Sequence, residues 1–210
     1  KIKQESFIKG ILALIFSQIL IKLFGLIYKL YLTNKQGFGD TGNAIYSSGF
    51  QIYALLLTLS SIGVPNAVAK LVSEKVSIGD EKGAHKIFKI AFITFGFIGF
   101  VGTLILFFSA KYIANVALEI PEAELTLVAL SPSIFFVSII SVIRGYFNGR
   151  QTMKATANSQ TIEQLFKTIF TVVLVEFIAM ISKTDTKLMA AGANFATTLA
   201  TIGSFIYLYR

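Results

Sequence analysis

The sequence predicts an all-α membrane protein, a bundle of six transmembrane helices. Three observations predict it. Of 210 residues, 54% are hydrophobic and only 14% charged, with a mean hydropathy of +0.71. A soluble domain uses about 25% charged residues to cover its surface. The charges gather in short segments between apolar runs. Each run reaches about 20 residues, the length a helix needs to cross the hydrocarbon core. Barrel strands are excluded, being shorter and alternating in polarity.

Spans are expected at about residues 7–32, 44–69, 86–108, 125–147, 158–182 and 188–209. Span one is too long for the apolar region of a signal peptide, and no small-residue cleavage pattern follows it. Span two carries Gly63-Val64-Pro65 about two-thirds along. Pro65 lacks a backbone donor, so a kink, or the end of the membrane part, is expected at this hinge. Asn66 to Lys75 would continue as a helix into the cytoplasm. Gly96, Gly99 and Gly102 in span three allow a close helix approach. Pro132, near the outer end of span four, is expected to act as Pro65 does. Span five bears a polar stripe of Gln160, Glu163, Gln164, Lys167, Thr168 and Thr171. Glu176 stands alone further out, where it would reach the outer interface. Span six has a softer stripe, Ala190, Asn194, Thr197, Thr198 and Thr201, which suits tight packing.

Orientation follows from lysine and arginine. Twelve of the 19 lie at one set of ends: Lys1, Lys3, Lys9, Lys70, Lys75, Lys82, Lys86, Lys89, Arg144, Arg150, Lys154 and Arg210. Four lie at the other: Lys35, Lys111, Lys183 and Lys187. Both termini are therefore expected in the cytoplasm, as an even span count requires. The loop before span four is acidic instead, with Glu119, Glu122 and Glu124. The net charge of +8 is this positive-inside bias. Nucleic acid is not an expected partner, since no aromatic-plus-basic sheet or base-reading motif is present.

Cysteine is absent, which excludes disulfides and thiolate metal sites. The lone histidine, His85, falls between lysines and reads as a solvated loop residue. Asp80-Glu81 is a solvated loop pair. There is no phosphate-cradling loop, nucleophile elbow or metal cluster, so neither an enzyme nor a cofactor is expected. Tryptophan is also absent. Tyr28, Tyr31, Tyr46, Tyr112, Tyr146, Tyr207 and Tyr209 are the candidates for an interfacial belt.

An ionic group at mid-membrane costs about 2.5–3.5 kcal/mol on insertion scales, so it marks a functional site by default. Lys22 and Lys29 are seven residues apart, nearly two turns, and share a face with Gln18 and Gly25. Two readings compete. Lysines near a helix end snorkel to the interface, which suits Lys29. A lysine near the midpoint, as Lys22 is, suits a water-filled cavity. Glu163 and Lys167 stand at i,i+4 in the favourable order. They read either as a self-neutralising pair or as a cavity wall holding both signs.

Several segments together resemble one family. They are Ile62-Gly63-Val64-Pro65-Asn66-Ala67-Val68-Ala69-Lys70-Leu71-Val72-Ser73-Glu74; Gly79-Asp80 with Ala84 to Lys89; and Arg144-Gly145-Tyr146-Phe147-Asn148-Gly149-Arg150-Gln151, followed by Thr156 to Gln160 and Glu163-Gln164. They resemble the polysaccharide-biosynthesis and stage V sporulation protein B branch of the multidrug/oligosaccharidyl-lipid/polysaccharide exporter superfamily. The resemblance implies a two-lobe transporter of six helices per lobe around a V-shaped cavity, working by alternating access. Residues 1–210 would be its N-terminal lobe, with the C-terminal lobe of the same protein as a missing partner. The implied substrate is a lipid-linked, polyprenyl-pyrophosphate glycan precursor such as lipid II. Membrane lipids and a coupling cation are the other partners it implies. Lys22 and Lys29 stand where relatives often carry arginine, so the resemblance assigns them, with Gln18, Glu163 and Lys167, to the substrate cavity. Lipid II-type relatives also place an arginine late in the second helix, whereas here Leu57-Thr58-Leu59-Ser60-Ser61 has no cation. A different lipid-linked glycan thus stays open. So do a cation-coupled multidrug exporter and a non-transporting scaffold for envelope or spore assembly.

Overall fold

The computed structural model describes residues 2–61, 63–182 and 185–210, with side chains from residue 8 onward and none for 57 and 59–61. Lys1, Lys3, Ile62, Lys183 and, of the cation-free stretch Leu57 to Ser61, all but Thr58 therefore lie wholly or in their side chains outside the described residues. Those residues form α1 (Ile2–Asn34), α2 (Gly39–Ser61), α3 (Val64–Ser77), α4 (Glu81–Tyr112), α5 (Glu124–Gly149), α6 (Met153–Ile181) and α7 (Thr186–Tyr209). Short π and 3-10 turns join α4 to α5. Among the described residues, five helices are long and apolar enough to cross a membrane: α1, α4, α5, α6 and α7.

The expected second span is two helices. Gly63 breaks it at φ +94°, a left-handed conformation that favours glycine. Pro65 sits in the first turn of α3, where a missing N–H costs no helical bond. Asp80 is not a free loop acid. It caps α4, accepting from the Gly83 N–H at 2.8 Å. That bond, and Lys75 at 3.4 Å, hold its carboxyl below the ordinary 3.8. Helix α4 thus begins at Glu81, which puts His85 on a helix rather than in a loop.

Pro132 does not end its helix, because α5 runs through it. A proline inside a helix strips its i−4 carbonyl of a donor and disturbs the neighbouring bond. Two hydroxyls make good the loss. Ser131 Oγ donates to the Val128 carbonyl at 2.8 Å, and Thr198 Oγ1 from α7 donates to the Ala129 carbonyl at 2.6 Å. Hydroxyls and neighbouring helices are how lipid-embedded prolines are tolerated.

Helix α5 is the hub. Helices α2, α3, α4 and α7 all lie against it, while α6 packs on α7 and α1 on α6. Small residues set the approach. A Cβ on Gly99 of α4 would fall 2.7 Å from the Ser138 Cβ, and one on Gly102 3.2 Å from Ile134. The span-three glycines therefore serve packing. Gly145 and Gly149 of α5 do the same for α3: a Cβ there would meet the Pro65 carbonyl at 2.8 Å and the Ala69 carbonyl at 2.7 Å. The α7 stripe of Asn194, Thr197, Thr198 and Thr201 is buried. Asn194 Nδ2 donates to the Tyr46 carbonyl at 3.2 Å, tying α7 to α2. Tyr46, counted among the belt residues, is instead a core residue beside Val175 and Met189.

Candidate cationic cleft between α1, α2 and α6

Helix α1 is fastened to α6 along one side only. Ser17 Oγ donates to the Ala157 carbonyl at 2.9 Å, and Thr168 Oγ1 reaches the Phe24 carbonyl at 3.2 Å. Glu176 is not alone: it accepts from the Tyr31 hydroxyl and the Lys35 ammonium, each at 2.6 Å. These contacts hold α1 at three heights. They leave Lys22 and Lys29 on another flank, and both are exposed.

Of the predicted site residues, Gln18 lies where that flank meets α6, donating to the Gln160 side chain at 3.0 Å. Gly25 lies close to Gln164, a Cβ on it standing 3.6 Å from the amide nitrogen. Lys29 lines an open pocket of about 530 Å³ between α1 and α2, together with Tyr28, Asp40, Asn43, Phe50 and Gln51.

Glu163 and Lys167 do not pair. Glu163 accepts from Arg144 of α5 at 2.6 Å. Arg144 also donates to Ser159 at 2.9 Å and Ser204 at 3.1 Å, so one guanidinium ties α5, α6 and α7. Lys167 is 8% exposed and turns to aromatic rings. Its ammonium lies 4.3 Å from the centre of the Phe50 ring and 5.2 Å from that of Tyr28. Both rings line the pocket that holds Lys29. One turn along α6, Thr171 is buried with no protein partner for its hydroxyl, as are Thr197 Oγ1 and Asn194 Oδ1 on α7.

Among the described residues, Lys22, Lys29 and Lys167 have no carboxylate partner. The structure thus gathers Lys29, Lys167, Tyr28 and Phe50, keeps Lys22 and Gln18 on the same helix flank, and pairs the partly buried Glu163 with Arg144. Sequence reasoning missed Arg144 as the partner of Glu163 and the aromatic rings as the partners of Lys167. Helical spacing on one chain segment cannot reveal a partner from another helix.

The long motif around Arg144 is structural. Arg144 makes the partly buried ion pair with Glu163, Gly145 and Gly149 seat α3, and Asn148 accepts from Thr156 at 2.7 Å. Arg150 donates to Glu81 of α4 at 2.7 Å and lies over the Tyr146 ring. These bonds to Glu81 and Tyr146 raise its pKa above the ordinary value of a guanidinium.

The model of the family described as "Polysaccharide biosynthesis protein" matches residues 7–210. This chain belongs to that family. Two curated proteins of Bacillus subtilis (strain 168) are similar to this family member. The lipid II flippase MurJ is 27% identical over 210 residues, covering 96% of this chain and 38% of that protein. The stage V sporulation protein B is 27% identical over 214 residues, covering 98% and 39%. The chain thus spans under half the length of these relatives. Two solved structures share the fold. One is a multidrug resistance MATE family transporter of the MOP superfamily in an outward-facing conformation, with a TM-score of 0.82, 12% identity, and 98% of this chain and 44% of that one covered. The other is a MOP superfamily transporter from Pyrococcus furiosus, with a TM-score of 0.79, 12% identity, and 98% and 44% covered. With its apolar helices and transporter relatives, the family member is a multi-pass membrane protein.

Proposed function

We propose that this chain forms the N-terminal lobe of a flippase-type transporter, not an enzyme, for a lipid-linked, polyprenyl-pyrophosphate glycan precursor of the cell envelope. The observation that carries the reading is Lys29 and Lys167 at one cleft, with Lys22 on the same flank of α1, none of the three having a carboxylate partner among the described residues. A pyrophosphate is the complementary charge, and buried Lys167, kept from a counter-ion, attracts an anion more strongly than the exposed Lys22 and Lys29 do. The lysines act as point charges rather than bidentate forks, which suits a pyrophosphate that must be released again. Gln18 supplies a neutral donor on the same flank. Glu163 acts indirectly, by fixing α6 through Arg144. The substrate lies between this lobe and a second lobe of the same protein, and alternating access exposes it to each leaflet in turn. The break at Gly63 and Pro65 is the hinge about which α2 moves relative to α3. Both termini face the cytoplasm, following the lysine and arginine bias.

The test is binding of a soluble polyprenyl-pyrophosphate analogue to the purified full-length protein. Lys22→Ala with Lys29→Ala is expected to weaken binding about tenfold, as is a rise in salt. Binding indifferent to both lysines overturns the assignment. An organic cation exported in its place would favour the cation-coupled multidrug reading. The engagement of Glu163 by Arg144 argues against that reading, because it neutralises the α6 carboxylate that an organic cation would need.

A further inference from the structure

A second concavity lies away from the lysine cleft, where α4 and α7 flank the C-terminal part of α5. It is a groove of about 390 Å³. Phe88 and Phe92 of α4, Ile143 and Phe147 of α5, and Leu208 of α7 line it. The exposed His85, Lys89 and Tyr209 border it. Helices α4 and α7 both face α5 yet leave this strip open between them. In a bilayer, an apolar strip between spans is filled by hydrocarbon.

The charge around the groove is one-sided. Lys82, Lys86 and Lys89 stand on the first turns of α4 at helical spacing, with His85 one turn before Lys89. Two acids are near in sequence, and both are engaged: Asp80 by Lys75 at 3.4 Å, and Glu81 by Arg150 at 2.7 Å. Among the described residues, the three lysines form no ion pair. An aromatic, apolar slot beside unneutralised lysines at a helix end matches the two halves of a charged lipid. Basic pockets between spans bind anionic headgroups in this way.

We propose that the groove between α4, α5 and α7 binds one anionic phospholipid, an acyl chain lying along Phe88, Phe92 and Phe147 and the phosphate meeting Lys89 and His85. The lipid comes from the leaflet that faces the basic helix ends. Bound there, it bridges α4 and α7.

The test uses the full-length protein in phosphatidylcholine vesicles containing phosphatidylglycerol, with dibrominated acyl chains on one lipid or the other. This chain has no tryptophan, so Tyr209→Trp adds one reporter, read as the difference from the parent protein. The introduced indole is expected to be quenched more strongly by brominated phosphatidylglycerol, with a preference of about fivefold over phosphatidylcholine. Lys89→Gln with His85→Gln brings the preference to unity. Lys111→Gln, at the far end of α4, leaves it unchanged. Equal quenching by both lipids overturns the proposal. Quenching by neither does so too, and assigns the groove to a second copy or to another part of the protein. Loss of the preference on adding inorganic phosphate would replace the lipid site by one for a free anion.

Discussion

Arg144 and Lys167 are two inward-facing cations on neighbouring helices, and their surroundings differ completely. Arg144 has a carboxylate, two hydroxyls and three helices around it. Lys167 has two aromatic rings and no acid. The first arrangement is saturated in charge: the carboxylate and both hydroxyls that the guanidinium bonds come from the bundle itself. The second is stabilised by ring quadrupoles, which are worth about 2 kcal/mol when desolvated, well short of a buried ion pair's attraction. A saturated cation holds helices together. An unsaturated one keeps capacity for a ligand, and Lys22 and Lys29 on the facing helix share that condition. The motif most specific to the family thus builds the frame, while the less distinctive lysines carry the candidate site.

The sharpest way to break this contrast is to remove the saturated cation. Arg144→Ala leaves Glu163 without its partner and is expected to cost about 3 kcal/mol in stability, seen as a lower unfolding temperature in detergent. Adding Glu163→Ala should recover part of that loss, and a double-mutant cycle with no coupling would refute the lock. Next is the seat that Gly145 gives to α3. Gly145→Val forces a side chain onto the Pro65 carbonyl and is expected to cost about 1–3 kcal/mol by the same measurement. Lys167→Met should behave oppositely to Arg144→Ala: stability changes by less than about 1 kcal/mol, because an uncompensated charge leaves with its cation–π contacts. Binding of the pyrophosphate analogue should nevertheless fall. A large loss of stability with unchanged binding would make Lys167 structural.

Smaller effects test the frame. Thr198→Val removes the donor to the Ala129 carbonyl below Pro132 and should cost about 0.6–1 kcal/mol. The smallest is the cap at Asp80. Its folded pKa lies below its unfolded value, so its contribution is present above the unfolded pKa and lost as pH falls through the folded one. A lower protection factor for the Gly83 amide, its rate taken relative to the intrinsic rate at the same pH, is expected in acid below about pH 4, and at neutral pH in Asp80→Ala. Equal exchange rates in the variant and the parent would remove Asp80 as the cap.

Much of the frame was legible in the chain. Apolar length gave the helices, Gly63 and Pro65 gave the break before α3, and the glycines of span three gave a close contact. The site was legible only in part. Lys22 and Lys29 stand out because lysine is costly inside an apolar run. Glu163 and Lys167 also stood out, but their spacing suggested the wrong partners. Spacing places side chains on one face of one helix, and it carries no information about which cation or ring another helix brings up. Pro132 was legible only in part for the same reason, since one of its two compensating hydroxyls, that of Thr198, comes from α7.

The sequence by itself determined that this protein lies in a membrane, that it is helical, and that its second span breaks at Gly63 and Pro65, because each depends on transfer energy and backbone chemistry local to the chain. Only the tertiary structure decided which helices are central. The apolar windows of α1 and α5 have the same mean hydropathy, yet 67% of the α5 window is buried in the bundle against 11% of that of α1. Lipid and protein interior are alike to an apolar side chain, so hydropathy cannot separate them. What does separate them is the set of small residues, hydroxyls and ion pairs that meet across helices, and those partners are chosen only when the bundle forms.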